Sequence, residues 1–218
     1  EDDRLVPGGP MPQGGLVSAL FFAGAALSLF ATTSMGIFLA TLARSIVGQQ
    51  ISVKAADSVW GRFIAALSDV SPQAVLFAGE EGLAGCGLSR RKREYVCDLA
   101  AHFIAGRLDP SDWAAMDDEA LISALTEVRG IGRWTAEMFL IFNQLRPDVF
   151  PLDDLGLQRA VFERYFAGAK QSRKVVAIFG ERWRPWRSVA TWYLWQVPGL
   201  ADYQPRAGKR RAQVGSER

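Results

Sequence analysis

Apolar residues four apart open the clearest stretch of the chain: Phe38, Leu42 and Ile46 share one helical face. After the polar break Gly48-Gln49-Gln50, a second stripe runs through Val53, Ala56, Trp60, Phe63 and Leu67. Similar spacing recurs over 72–78, 89–105, 117–127, 134–145, 155–167, 172–181 and 187–197, with Gly, Pro or Asp punctuation such as Asp109-Pro110 and Arg146-Pro147 between them. Strand-like alternation is scarce, so the pattern predicts an all-α fold. Residues 5–43 carry no charge, and 16–43 is long enough to span a membrane. Gly24, Thr32, Thr33, Ser34 and Gly36 interrupt that segment and no basic flank precedes it, so it is read as two buried helices, near 16–30 and 35–48.

Composition changes this picture little. A chain of 218 residues that is 49% hydrophobic can bury a substantial core. The Pro/Gly-rich residues 1–15 read as a flexible arm, 16–205 as the folded domain, and the basic, apolar-poor 206–218 as a disordered tail. The net charge of +2 hides basic clusters at 90–93, 129–133, 182–187 and 206–211, which matter more to a phosphate backbone than the net value does. Cys86 and Cys97 are too few for a disulfide framework and lack zinc or iron–sulfur spacing, which points to inert thiols in a reducing cytoplasm.

Three constellations carry chemistry. In Val128-Arg-Gly-Ile-Gly-Arg-Trp-Thr-Ala136, two glycines around one apolar residue permit a tight hairpin, and the helix that follows starts with unpaired N–H groups. Gly130 and Gly132, with Arg129 and Arg133 beside them, could hold a phosphate. In Phe150-Pro-Leu-Asp-Asp-Leu-Gly156 a carboxylate pair enters a helix whose apolar stripe would be Leu155, Gln158 or Arg159, Phe162 and Phe166. Asp153 is read as the capping residue and Asp154 as a free carboxylate facing a cleft, where it could stabilise an oxocarbenium-like sugar. Among the tryptophans, Trp134 and Trp195 are the leading candidates for flat walls around an extruded base, and Trp192 shares a predicted face with Trp195.

Four ordered blocks between residues 37 and 196 give the chain a recognisable likeness. They are Arg44-Ser-Ile-Val-Gly-Gln-Gln-Ile-Ser-Val-Lys-Ala-Ala56, Gly87-Leu-Ser-Arg-Arg-Lys92, the hairpin with the aspartate loop, and Arg182-Trp-Arg-Pro-Trp-Arg-Ser188. Together they resemble the helix-hairpin-helix DNA glycosylases, within them the 3-methyladenine DNA glycosylase II (AlkA-like) branch. The resemblance implies two helical subdomains around one active-site cleft, with a DNA-binding helix-hairpin-helix. It also implies Asp154 as the catalytic residue, a base pocket of Trp134, Met138, Trp192 and Trp195, and a wedge at Gln49-Gln50. DNA contacts are expected from Gln49, Gln50, Ser52, Arg90, Arg129, Gly130, Gly132, Arg133, Thr135 and Arg187. No cofactor is expected beyond a monovalent cation, K+ or Na+, on the carbonyls of Thr126, Val128 and Ile131.

The implied function is monofunctional excision of alkylated purines from double-stranded DNA in base excision repair. Trp134 stands where bifunctional relatives carry a catalytic lysine, so strand cleavage is not expected. A monomer at the nucleoid of a bacterial cytoplasm, with no membrane association, completes the expectation. The competing readings are a noncatalytic helix-hairpin-helix DNA-binding module, which leaves the carboxylate and aromatic residues unexplained, and a membrane protein, which explains only residues 16–43.

Overall fold

A computed structural model describes residues 34–196, and among these every regular element is helical. The elements are α1 (Ser34–Gly48), α2 (Val53–Ala65), α3 (Pro72–Gly82), α4 (Arg90–Ile104), α5 (Asp118–Thr126), α6 (Arg133–Phe142), α7 (Leu155–Tyr165), α8 (Arg173–Gly180) and α9 (Arg187–Leu194). Two short 3-10 turns, Ala84–Cys86 and Glu181–Trp183, complete the path. The expected helix at 16–30 and the proposed arm and tail lie outside the described residues. No described helix is long and apolar enough to cross a membrane.

Local chemistry places the helix starts. Ser52, Ser71, Ser89, Asp117, Asp154 and Ser172 each cap the following helix by accepting a hydrogen bond from the backbone N–H three residues on. Each of these acceptors satisfies one of the donors that a helix start leaves unpaired.

Burial then divides the apolar side chains into two clusters. The larger one draws Leu39, Leu42 and Ile46 from α1, Trp60 and Phe63 from α2, Leu99 and Phe103 from α4, Leu121 and Leu125 from α5, and Phe139 from α6. Trp113 sits among the rings of Phe38, Phe103 and Phe139. The smaller cluster joins Phe150, Leu157, Ala160, Val161, Val176 and Leu194. Adjacent residues tie the two together: Val149 packs into the first and Phe150 into the second, as do Trp195 and Leu194.

The stripe expected on α7 is corrected by two register positions. Leu155 is 60% exposed, and Leu157, Ala160 and Val161 form the buried face. Phe162 and Phe166 only flank the smaller cluster. The cap at Asp154 sets which residues of the first turn look inward, and Leu155 is not among them.

Helix α6 is enclosed on nearly every side, and this buries an ionisable group. Glu137 is 2% exposed; its Oε1 accepts from Arg133 Nε at 2.9 Å, while its Oε2 has no hydrogen-bond partner. Burial pushes its carboxyl up to about 7 despite Arg133, and Asp153 and Glu119 add to the rise. The folded chain therefore holds a proton here between the ordinary value of 4.5 and about 7 that the unfolded chain has lost. Stability is highest below the ordinary value and falls as pH rises through this window, by at most about 3 kcal/mol. Glu137→Gln keeps an acceptor for Arg133 without the buried charge. Between pH 5 and pH 8 the variant should lose less melting temperature than the parent, and parallel losses in thermal melts would show that Glu137 does not titrate in this window.

Candidate active site

Asp154 stands where three elements converge. Its Oδ1 accepts from Leu157 N in the first turn of α7 at 2.6 Å and from Trp195 Nε1 just beyond α9 at 2.9 Å. Its Oδ2 accepts from Trp134 Nε1, in the first turn of α6, at 2.9 Å. The expected division of labour between the paired aspartates is thus reversed in one respect. Asp154 is itself the N-cap, and Asp153 faces Arg173, whose Nε donates to Asp153 Oδ1 at 2.9 Å and holds that carboxyl below its usual range. A turn closed by Asp154 N on Pro151 O aims the second aspartate, not the first, back at the helix start.

The loop carrying this pair is pinned from both sides. Ser188 Oγ donates to Arg146 O at 2.6 Å and accepts from Val149 N at 2.9 Å, and Gln158 Nε2 donates to Leu152 O at 2.6 Å. Asp148 is gripped by Arg187 through Nε and Nη2, at 2.7 and 2.9 Å. Partial burial raises the Asp148 carboxyl, but the Arg187 hydrogen bonds outweigh it and hold the group below its usual range.

The four expected pocket residues separate. Trp134 is 38% exposed, so it presents ring surface beside Asp154. Trp195 is 7% exposed and stacks on Phe142 with centroids 5.8 Å apart, so only its N–H edge reaches the carboxylate. Met138 is a correction: it is fully buried among the larger cluster and lines no open surface, because α6 turns that face inward. Trp192 is exposed to the same 38% as Trp134 and packs edge-to-face on Tyr193 at 5.3 Å, but none of the hydrogen bonds to Asp154 comes from it.

At the hairpin, Gly130 has φ +88° and a Cβ there would fall 2.2 Å from the Tyr95 ring. The turn is stitched to the Gln49-Gln50 segment by Gln49 Nε2, which donates to Gly130 O at 2.8 Å. Lys92 Nζ donates to Val47 O and Gln49 O at 2.8 and 2.7 Å, and its burial lowers its pKa. Asp98 receives Arg129 N at 2.9 Å and the Arg129 guanidinium at 3.3 Å. Gly132 is the N-cap of α6 with no side-chain cap, and a Cβ there would meet nothing within 4 Å. No side chain caps the N–H groups of that first turn.

Several expected contact residues are engaged internally. Arg133 is bidentate to Glu119 at 2.8 and 2.5 Å and also donates to Glu137. Arg187 is spent on Asp148 and Glu181, and both arginines line a polar cavity of about 420 Å³. Thr135 is buried, and Gln49 serves the hairpin rather than projecting as a wedge. Gln50 remains exposed at φ +61°, Ser52 is an exposed cap, and Arg90 is exposed beside Glu94. Of the carbonyls suggested for a cation, that of Val128 already accepts from Ile131 N at 3.1 Å. Lys92, Tyr95, Asp98 and Gly156 escaped the sequence reading; Lys92 and Gly156 lay inside quoted blocks, while Tyr95 and Asp98 had no local signal.

Comparisons with known proteins agree on one family. Residues 43–185 match the HhH-GPD superfamily base excision DNA repair protein family. DNA-3-methyladenine glycosylase 1 of Schizosaccharomyces pombe is 34% identical over 166 residues, covering 74% of this chain and 73% of that one. The putative DNA-3-methyladenine glycosylase YfjP of Bacillus subtilis is 30% identical over 161 residues, covering 70% of this chain but 56% of its own length. Among solved structures, a DNA-3-methyladenine glycosidase from Bacillus halodurans superposes with TM-score 0.68 at 33% identity, over 89% of this chain and 78% of that one. The S. pombe 3-methyladenine DNA glycosylase Mag1 in complex with abasic DNA gives TM-score 0.63 at 29% identity, over 86% and 99%.

The two hairpin glycines should differ in stability tests. Gly130→Ala forces a side chain into Tyr95 at positive φ and should cost about 1–3 kcal/mol. Gly132→Ala meets no clash and exchanges a tolerated N-cap for a poor one, so it should cost less, about 0.5–1 kcal/mol. Equal melting temperatures for the two variants would contradict the close packing at Gly130.

Proposed function

Because the chain belongs to the HhH-GPD superfamily of base excision DNA repair proteins, we propose that it is a monofunctional DNA glycosylase that excises alkylated purines of the 3-methyladenine type from duplex DNA. The observation that carries the reading is Asp154, a carboxylate at a helix N-terminus beside the half-exposed Trp134. In this reading the N–H groups at Gly132 and the start of α6, with Arg129, take a phosphate without reading sequence. Gln50 at the exposed turn fills the gap left by the flipped nucleotide. A cationic alkylpurine stacks on Trp134, gaining about 0.5–2 kcal/mol of cation–π attraction. Asp154 then faces the sugar carbon as its bond to the base lengthens, and the carboxylate charge stabilises the growing oxocarbenium character while water completes hydrolysis.

The products are a free base and an abasic site. Trp134 occupies the lysine position of lyases, so no amine is available there to form an imine. The reading includes action as a monomer at the nucleoid of a bacterial cytoplasm. It also includes a K+ or Na+ ion on the carbonyls of Thr126, Val128 and Ile131: Val128 O keeps a second lone pair, and neutral oxygens suit such hard cations. When bound, the ion would add positive charge beside the phosphate. A noncatalytic DNA-binding module would need the hairpin but would give the carboxylate and indoles no task.

Asp154→Asn should reduce base release from a 3-methyladenine-type lesion duplex at least a hundredfold while duplex affinity stays within about twofold, since Asn still caps a helix. Asp153→Asn should have a small effect. On gels, strand breaks should appear only after alkali. Release of base by Asp154→Asn at the parental rate would remove Asp154 from the chemistry, and breaks without alkali would overturn the monofunctional assignment.

A further inference from the structure

We propose that Trp134 and Trp195 are positioning residues whose indole N–H groups clamp Asp154 so that Oδ2 is the working oxygen, with Gly156 as the gap that lets the clamp close. This rests on the glycosylase reading of Asp154. A carboxylate offers about two lone-pair directions per oxygen. Oδ1 has both filled, by Leu157 N and Trp195 Nε1, whereas Oδ2 holds only Trp134 Nε1. The direction left for a sugar cation or a water proton is on Oδ2.

An ordinary capping aspartate is satisfied by backbone N–H groups alone. Here two ring N–H groups, brought by α6 and by the residue after α9, fix the carboxylate plane as well. Hydrogen bonds to an ionised group are the stronger kind, and orientation of this sort is what a reacting group needs. The two indoles are not equivalent. Trp195 is 7% exposed and stacked on Phe142, so it has no face to offer a base and can act only through Asp154. Trp134, 38% exposed, can offer its ring to substrate and its edge to Oδ2 at once. Gly156 sits on the closed flank. A Cβ there would lie 3.2 Å from Asp154 Oδ1 and 3.5 Å from Trp195 Cδ1, tight enough to push the two apart by tenths of an ångström.

Replacing the indole nitrogen by sulfur separates orientation from packing. Benzothienylalanine placed at 195 keeps the ring shape but removes the donor. Single-turnover base release from the lesion duplex should fall about tenfold or more, while lesion-duplex affinity stays within twofold and the melting temperature within two degrees. The same replacement at 134 leaves Oδ1 doubly held and should cost less. Gly156→Ala should melt no lower than the parent, since Ala favours helix over Gly, yet release base severalfold more slowly.

A parental rate with benzothienylalanine at 195 would overturn the clamp. A larger loss at 134 than at 195, with lesion-duplex affinity unchanged in both, would overturn the assignment of Oδ2, and an unchanged rate in Gly156→Ala would remove the glycine from it. The Asp154→Asn control separates the levels: if it is inactive while the analogue at 195 is fully active, the clamp fails alone, and if both are fully active the glycosylase reading fails.

Discussion

The three hydrogen bonds on Asp154 are the constraint on which the rest of the arrangement depends. One comes from its own helix and two from tryptophans on α6 and after α9, so the carboxylate can sit there only if three elements are held in register. The two hydrophobic clusters meet that demand. Trp195 belongs to the larger and Leu194 to the smaller, and the loop before Asp154 divides in the same way at Val149 and Phe150. Packing therefore fixes the site to within a side chain's freedom, and the ion pairs of Asp148 with Arg187 hold the loop that packing leaves open.

Several of the charges beside the site are spent on one another. Arg133 is shared between Glu119 and Glu137, Arg187 between Asp148 and Glu181, and Arg173 answers Asp153. The exposed pairs among these, Arg133 with Glu119 and Arg173 with Asp153, add little stability each, but all of them decide which cations are left for a phosphate. Arg129, with a half-open guanidinium and a backbone N–H tied to Asp98, is a better-placed cation for that purpose than Arg133 or Arg187. The hairpin itself relies on backbone: Gly130 lies against Tyr95, Gln49 donates to its carbonyl, and no side chain caps the helix that starts after Gly132.

The all-helical class, the positions of α1 and α2 on either side of Gly48-Gln49-Gln50, the hairpin glycines, Asp154 and Trp134 were legible in the chain itself. Helical periodicity, capping residues and glycine at tight turns are local physics, readable within about one turn of chain. Which face of α7 is buried, that Met138 is sealed in the core, that Thr135 is covered and that Arg133 and Arg187 are engaged depended on partners as far away as Glu119 and Asp148. The choice of Asp154 over Asp153 as cap follows from the local turn on Pro151 O, but what each carboxylate then meets is tertiary: Arg173 takes the first aspartate and two indoles the second. Local patterns name the residue types that chemistry requires; only long-range packing decides which of them keep a free atom to use.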